Sequence, residues 1–202
     1  MFRISKKTIV PVLVFALLVS TGAFAQLALG WTGATYYNSG VSTSQVIQDF
    51  QDGNGIFYGP FVELGMGKLA LGGAFNFSFY NQVDPYVPAQ VVEMMDYDGN
   101  FYMQGHLFGY KSLLDPFLEV GIGRMATDYA DSADDPDSDN PLRGTNYWQA
   151  GGGMGVNLGP LGVFAKLLYM MPIGAVETNS NYSLENYPLK DLKVFVGAKL
   201  IL

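Results

Sequence analysis

The segment Leu69–Tyr80 reads LALGGAFNFSFY, and its residues alternate with a period of two. Successive side chains of a β-strand point to opposite faces, so this period predicts a strand with one strongly apolar face. The apolar face carries Leu69, Leu71, Phe75, Phe77 and Phe79, and the other face carries Ala70, Gly72, Ala74, Asn76 and Ser78.

The same period returns seven more times along the chain. The predicted strands are 26–37, 56–65, 69–80, 97–109, 117–127, 147–156, 161–171 and 192–202. A tilted strand needs about 9 to 11 residues to cross a bilayer, and these segments are of that length. The composition agrees, because 25 glycines, 14% aromatic residues and only 14% charged residues favour one mostly-β domain.

The connections between the predicted strands alternate in length. The long ones are 38–55, 81–96, 128–146 and 172–191, and the short ones are 66–68, 110–116 and 157–160. Outer-membrane barrels combine an even strand number with short periplasmic turns and longer outer loops. The sequence therefore predicts an all-β fold, an eight-stranded antiparallel up-and-down transmembrane β-barrel over residues 26–202.

Residues 1–25 have the pattern of a cleaved signal peptide. Arg3, Lys6 and Lys7 precede an apolar run from Thr8 to Val19, and the segment ends in Ala23-Phe24-Ala25. A basic start, a short apolar run and an A-x-A end are typical of secretory signals. An uncleaved membrane anchor, the alternative, needs about 20 apolar residues. We expect export and residence in the outer membrane of a Gram-negative-type envelope.

The acidic residues gather in the long connections. Removal of the signal peptide changes the formal charge from −7 to −10, since it takes away three basic residues. The long connections contain Asp49, Asp52, Asp84, Glu93, Asp96, Asp128, Asp131, Asp134, Asp135, Asp137, Asp139, Glu177, Glu185 and Asp191, against Arg143 and Lys190. This balance excludes a nucleic-acid-binding face and predicts an acidic outer surface.

Alternation alone does not separate a membrane barrel from a soluble, lipocalin-like ligand-binding barrel. A soluble barrel needs a charged exterior, whereas the less apolar face here consists mainly of Gly, Ala, Ser, Asn and Gln. Small residues suit the lumen of an eight-stranded barrel, which side chains nearly fill. The sequence favours the membrane barrel, with the apolar face toward lipid.

Five ionisable residues fall on the predicted lumen face. They are Glu63, His106, Glu119, Lys166 and Lys199. Most lie a few residues from the short turns, so they are expected to form one layer of paired charges, because an unpaired buried charge costs several kcal/mol. Two interpretations stay open, a structural salt-bridge plug and a path for protons or ions.

Arg124 does not fit the lumen pattern. If Leu118, Val120 and Ile122 face lipid, strict alternation places Arg124 there too, at a cost of about 2–4 kcal/mol near the midplane. A β-bulge between Gly121 and Gly123 would turn Arg124 inward. We therefore predict such a bulge.

The segment Asp131–Asn140 carries five acids in ten residues. Asp135, Asp137 and Asp139 match the first, third and fifth positions of a calcium loop, but Asn140 and Asn146 replace the required Gly and Glu. A solvated acidic loop is the simpler interpretation, and weak divalent binding is the alternative.

His106 is the only histidine and the only obvious general base. A Ser–His–Asp site needs a serine within hydrogen-bond reach of the base, and predicted strand 97–109 carries none. The zero cysteine count removes thiol catalysis and thiolate metal sites. We predict no enzymatic activity and assign no catalytic, cofactor-binding or metal-binding residues.

The last strand, Phe195-Val196-Gly197-Ala198-Lys199-Leu200-Ile201-Leu202, completes a pattern that resembles small bacterial outer-membrane barrels of the OmpA/OmpX/OmpW-like group. The resemblance implies that this strand is the signal that the barrel-assembly machinery recognises. Outer-membrane lipid hydrolases of barrel form resemble one another in a His-x-Ser pair, whereas Phe108 follows His106 at that spacing here. The resemblance implies a monomeric structural or surface-interaction protein surrounded by outer-membrane lipid, with an unidentified extracellular partner. Its alternative is a narrow, porin-like conduit for small or hydrophobic molecules.

Overall fold

The chain forms a closed antiparallel β-barrel in a computed structural model. The structure describes residues 26–38, 40–52, 55–83, 91–129, 143–173, 177–178 and 190–202. The predicted signal peptide, residues 1–25, and the acidic segment considered for weak divalent binding, residues 131–140, lie outside this part of the chain.

The barrel has eight long strands, each paired with its neighbours in sequence. In chain order the elements are β1 (Gln26–Tyr37), α1 (Thr43–Asp52), β2 (Phe57–Met66), β3 (Leu69–Val83), β4 (Val91–His106), β5 (Leu114–Tyr129), β6 (Arg143–Leu158), β7 (Leu161–Pro172), the two-residue β8 (Glu177–Thr178) and β9 (Leu192–Ile201). Pairing of β1 with β9 completes the closure, and β8 adds to the end of β6. The predicted eight-stranded up-and-down antiparallel barrel is confirmed.

The two ends of the barrel differ. The turns 67–68, 107–113 and 159–160 meet at one end, which we call the short-turn end. Both termini of the described chain lie there, and the Leu202 N–H donates to the Leu27 carbonyl over 2.8 Å. We call the opposite end the long-loop end.

Several strands extend further toward the long-loop end than predicted. The β3–β4 ladder continues to the pair Val83 and Val91, so residues 81–83 and 91–96 of the predicted loop belong to strands. Asp128 likewise belongs to β5 and Arg143 to β6. Charged residues marked these segments as loops, but the alternation persists through them, since Val92 and Met94 are buried on the inward face.

The first long connection contains a helix that the sequence analysis missed. The Ser42 hydroxyl accepts the Gln45 backbone N–H over 3.2 Å and so caps the start of α1. Across the described ranges, the chain has no helix that is both long and apolar enough to span a membrane.

The predicted division into two faces is confirmed along the strands. Leu118, Val120 and Ile122 of β5 point outward and are exposed, whereas Glu119 between them is buried in the lumen. The apolar set therefore covers the outside of the barrel, and the small and polar set fills its interior.

The predicted bulge in β5 is absent, and that prediction was wrong. Pairing with β4 is regular at Gly123, Arg124 and Met125, so Met125 is buried in the lumen and Arg124 faces outward. The charge of Arg124 is accommodated by the orientation of its side chain and not by a bulge in the backbone. Its guanidinium lies against Gly144, where a Cβ would come within 2.6 Å of Nη2, and thus reaches toward the long-loop end.

Candidate functional site: a closed lumen and an apolar wall

Eight buried ionisable side chains form four acid–base pairs within the described part of the barrel. The pairs are Asp98–Lys193, Glu119–Lys166, Glu63–Lys199 and Asp115–His106. Each of the eight residues is at most 6% exposed. Such burial is tolerated because each carboxylate has a basic partner, and Asp98, Glu119 and Glu63 accept further hydrogen bonds.

The pair nearest the long-loop end is Asp98 of β4 with Lys193 of β9. The Tyr36 hydroxyl donates to Asp98 Oδ2 over 2.6 Å, and the Tyr147 hydroxyl donates to Oδ1. Lys193 Nζ also lies 3.1 Å from the Tyr147 hydroxyl. Asp98 therefore holds together donors from three other strands.

The next pair is Glu119 of β5 with Lys166 of β7. Glu119 Oε2 accepts from Lys166 Nζ and from Gln104 Nε2, each over 2.8 Å. Its Oε1 accepts from Gln149 Nε2 over 2.9 Å. Lys166 Nζ also lies 4.3 Å from the centre of the Tyr102 ring, a cation–π distance.

The third pair lies closer to the short-turn end, where Glu63 Oε2 is 3.3 Å from Lys199 Nζ. The Tyr110 hydroxyl donates to the same oxygen over 2.7 Å, and the Tyr102 hydroxyl donates to Oε1 over 3.0 Å. Burial and the Glu63 carboxylate raise the pKa of the Tyr110 phenol, which therefore remains a neutral donor. Tyr102 contacts both this pair and the Glu119–Lys166 pair.

His106 and Asp115 form the fourth pair, with Nδ1 and Oδ1 2.7 Å apart. The His106 ring meets the Tyr110 ring edge-on at 5.1 Å between centres. His106 Nε2 is buried and has no hydrogen-bond partner among the described residues. The nearby Ser112 hydroxyl donates to the Gly109 carbonyl over 2.7 Å, and no serine is hydrogen-bonded to His106 in the described structure.

Aromatic rings fill the lumen between the pairs. Phe61, Tyr102, Phe117 and Phe164 form one buried cluster, in which Phe61 and Phe164 meet edge-on at 5.4 Å between ring centres. Glycines make room for them, since a Cβ at Gly30 would lie 2.4 Å from Phe61 Cε1. Rings and ion pairs together close the lumen at the levels that the described residues define.

All five residues predicted for the lumen are there, but not in one layer. Glu119 pairs with Lys166 and Glu63 pairs with Lys199 at two depths, while His106 pairs with a residue that the sequence analysis left out. Asp115 was missed because β5 was expected to begin after it, although it begins at Leu114.

Asp98 and Lys193 were missed for a different reason. Both lie within predicted strands and on the polar face, so the period of two was sufficient to place them in the lumen. The expectation of one charged layer near the short turns left out these two residues, which sit near the long-loop end.

The outward wall is apolar, and two grooves lie beside each other on its described part. Phe101 is 74% exposed and separates them. The larger, about 580 Å³, is lined mainly by Leu29, Pro60, Val62, Gly73, Phe75 and Phe101. The smaller, about 410 Å³, is lined by Gly99, Phe101, Ile122, Gly123, Arg124, Asn146 and Ile173.

The described residues contain no group of three or more His, Cys, Asp or Glu side chains that could hold a metal ion.

These features define a class of protein, an eight-stranded antiparallel barrel with a polar interior closed by side chains and an apolar exterior. The N-terminal β-barrel domain of Pseudomonas aeruginosa OprF shares this fold, with a TM-score of 0.50 and 10% sequence identity over 88% of this chain and 97% of that one. Neisserial surface protein A (NspA) aligns with a TM-score of 0.48 and 13% identity over 87% of this chain and 96% of its own. No protein-family model matches the sequence, and no curated protein matches it.

Proposed function

We propose that this protein is an integral outer-membrane barrel without enzymatic activity that presents acidic loops at the cell surface. The observation that carries the proposal is the distribution of polarity. Charges are paired inside, while large apolar side chains such as Leu118, Phe101 and Trp148 are more than half exposed on the outside. A soluble monomer rarely exposes an apolar patch larger than a few hundred Å², whereas lipid requires one.

The dimensions of the wall support a membrane location. Arg124 lies ten residues after Leu114, the first residue of β5. With a rise of about 3.4 Å per residue and a tilt of about 40°, this corresponds to about 26 Å along the barrel axis. The apolar band of such barrels is about 25 Å tall, so Arg124 marks its upper border.

The acidic loops support a role at the surface. With the short-turn end in the periplasm, the long connections emerge outside the cell, and one of them carries Asp131, Asp134, Asp135, Asp137 and Asp139. This concentration of negative charge suits a basic or divalent-cation-bridged external partner. Contacts with outer-membrane lipid and insertion by the barrel-assembly machinery through β9 belong to the same proposal, as does a monomeric state.

Two measurements test the proposal. Protein folded in detergent or lipid vesicles should migrate on a gel differently before and after boiling, and an epitope inserted after Asn140 should bind antibody on intact cells. A monodisperse barrel in buffer without detergent would contradict the membrane location. Failure of the antibody to bind intact cells that contain the folded barrel would contradict the surface role.

A further inference from the structure

Arg124 occupies a defined position on the outward wall. It pairs in register with Gly99 on one side and Asn146 on the other, and all three positions face outward. The guanidinium lies beside Gly144 of β6, where a Cβ would come within 2.6 Å of Nη2. Arg124 is half-buried by this packing.

An apolar groove begins at this arginine and runs toward the short-turn end. The groove of about 410 Å³ has Arg124, Asn146 and Ile173 at one end, where the Ile173 N–H donates to the Asn146 carbonyl, and Phe101 and Ile122 on the side of the short turns. Gly99 contributes no side chain to the outward wall at this point, which explains why the wall is recessed here. A charged, hydrogen-bonding end and an apolar body match the two parts of a lipid.

We propose that this site binds an anionic lipid of the outer leaflet, with its phosphate-bearing headgroup on Arg124 and Asn146 and one acyl chain in the groove beside Phe101. The inference rests on the proposed function, since it requires the wall to face lipid.

The chemistry of the arginine favours an anionic headgroup. A guanidinium has five N–H donors in a planar fork that matches phosphate oxygens, so it can bind a headgroup in addition to a protein partner. Its position about 26 Å above the start of β5 is the level at which lipid headgroups begin. An arginine oriented toward the interface avoids the cost that it would have at the midplane.

Tryptophan fluorescence offers a direct test. Trp148 lies opposite Ile122 in the β5–β6 pair and two residues from Asn146 on the outward face, so it borders the groove. The variant Trp31→Phe leaves it as the single tryptophan, because the chain has only two. This variant is folded into phosphatidylcholine vesicles in which part of the lipid is dibrominated phosphatidylglycerol or, in parallel, dibrominated phosphatidylcholine, and quenching by bromine is measured.

The expected result is a preference of about two- to fivefold for phosphatidylglycerol over phosphatidylcholine next to Trp148, as one well-placed cation provides near an anionic lipid. The additional change Arg124→Gln should abolish the preference. Arg124→Lys should retain most of it, and the matched charge removal Lys111→Gln, in the short turn, should leave it unchanged. Inorganic phosphate at constant ionic strength should not compete, because it cannot fill the groove.

Each alternative outcome is distinguishable. Equal quenching by the two brominated lipids, or a preference that survives Arg124→Gln, would overturn the lipid site while leaving the membrane location intact. Loss of the preference for phosphatidylglycerol when inorganic phosphate is added would show that free phosphate, and not a lipid, occupies the site. Loss of quenching on concentration of the protein, with the appearance of cross-linked dimers, would assign the groove to a second copy. Absence of quenching by any brominated lipid would overturn the proposed function itself.

Discussion

Each buried carboxylate in the lumen is surrounded by donors from several strands. Glu119 accepts hydrogen bonds from Gln104, Gln149 and Lys166, which lie on three other strands. A pair of this kind contributes little net stability relative to apolar residues of the same shape, but removing one partner leaves a charge without compensation. The pairs therefore constrain the lumen strongly without adding much to the free energy of unfolding.

The first prediction concerns this asymmetry. Lys166→Met should lower the free energy of unfolding by about 3–5 kcal/mol, because it leaves the Glu119 carboxylate buried without its cation. The double variant Lys166→Met with Glu119→Gln should recover most of the loss. Urea unfolding in lipid vesicles measures both, and the exposed Lys190→Met serves as the control. Additive losses in the double variant would contradict the described pairing.

The second prediction concerns the glycines beneath the aromatic rings. A Cβ at Gly30 would lie 2.2 Å from the Ala198 carbonyl oxygen and 2.4 Å from Phe61, whereas one at Gly105 would have no atom within 4 Å. Gly30→Ala should therefore lower the free energy of unfolding by about 1–3 kcal/mol through overpacking. Gly105→Ala should have almost no effect. Equal effects of the two changes, measured by the same urea unfolding, would contradict the described packing.

The faces of individual residues were predictable from the sequence, but their partners were not. The period of two correctly placed Glu63, Glu119 and Lys199 in the lumen. Which acid meets which base depends on strand register and shear, and a single sequence does not encode either in its alternation.

At the scale of strands, β4 and β5 show why element boundaries were harder to predict than element existence. β4 was expected to begin at Tyr97 but begins at Val91, and β5 was expected at Phe117 but begins at Leu114. Polar residues at strand ends look like loop residues, although their backbones complete the ladder. The error in β5 also led to the incorrect bulge, because it placed Arg124 too close to the midplane.

The third prediction tests how the wall depends on depth. Leu118 of β5 and Leu113 of the adjoining turn are similarly exposed, at 67% and 61%. In vesicles, Leu118→Arg should lower the free energy of unfolding by about 2–4 kcal/mol, because it places a charge in the apolar band. Leu113→Arg, at the interface, should cost about 0–1 kcal/mol. Similar costs in the two variants would show that Leu118 does not face hydrocarbon.

At the scale of the whole molecule, closure of the barrel and filling of its lumen decide what the protein can do. Eight strands leave room for side chains but not for an aqueous channel. The described ion pairs and rings occupy that room, which favours a surface or structural role over the narrow conduit. The sequence predicted this architecture well, because strand number and alternation determine it, whereas the external partner depends on loops whose residues follow no period.

The fourth prediction follows from the filled lumen. The protein in a planar lipid bilayer should show no steady single-channel conductance. The double variant Phe61→Ala with Phe164→Ala removes two rings of the central cluster and should raise the frequency of conducting events, provided that it still folds. Steady conductance of the unaltered protein would contradict the closed lumen.

The most direct test of the central claim is the accessibility of single cysteines along β5, for which the natural absence of cysteine provides a clean background. Spin labels at Leu118, Val120 and Ile122 of the vesicle-inserted protein should be accessible to lipid-dissolved oxygen and shielded from a water-soluble relaxation agent. A label at the exposed Lys111, in the short turn, should show the reverse. High accessibility of the first three positions to a water-soluble relaxation agent would contradict the account, because it would place the apolar wall in water.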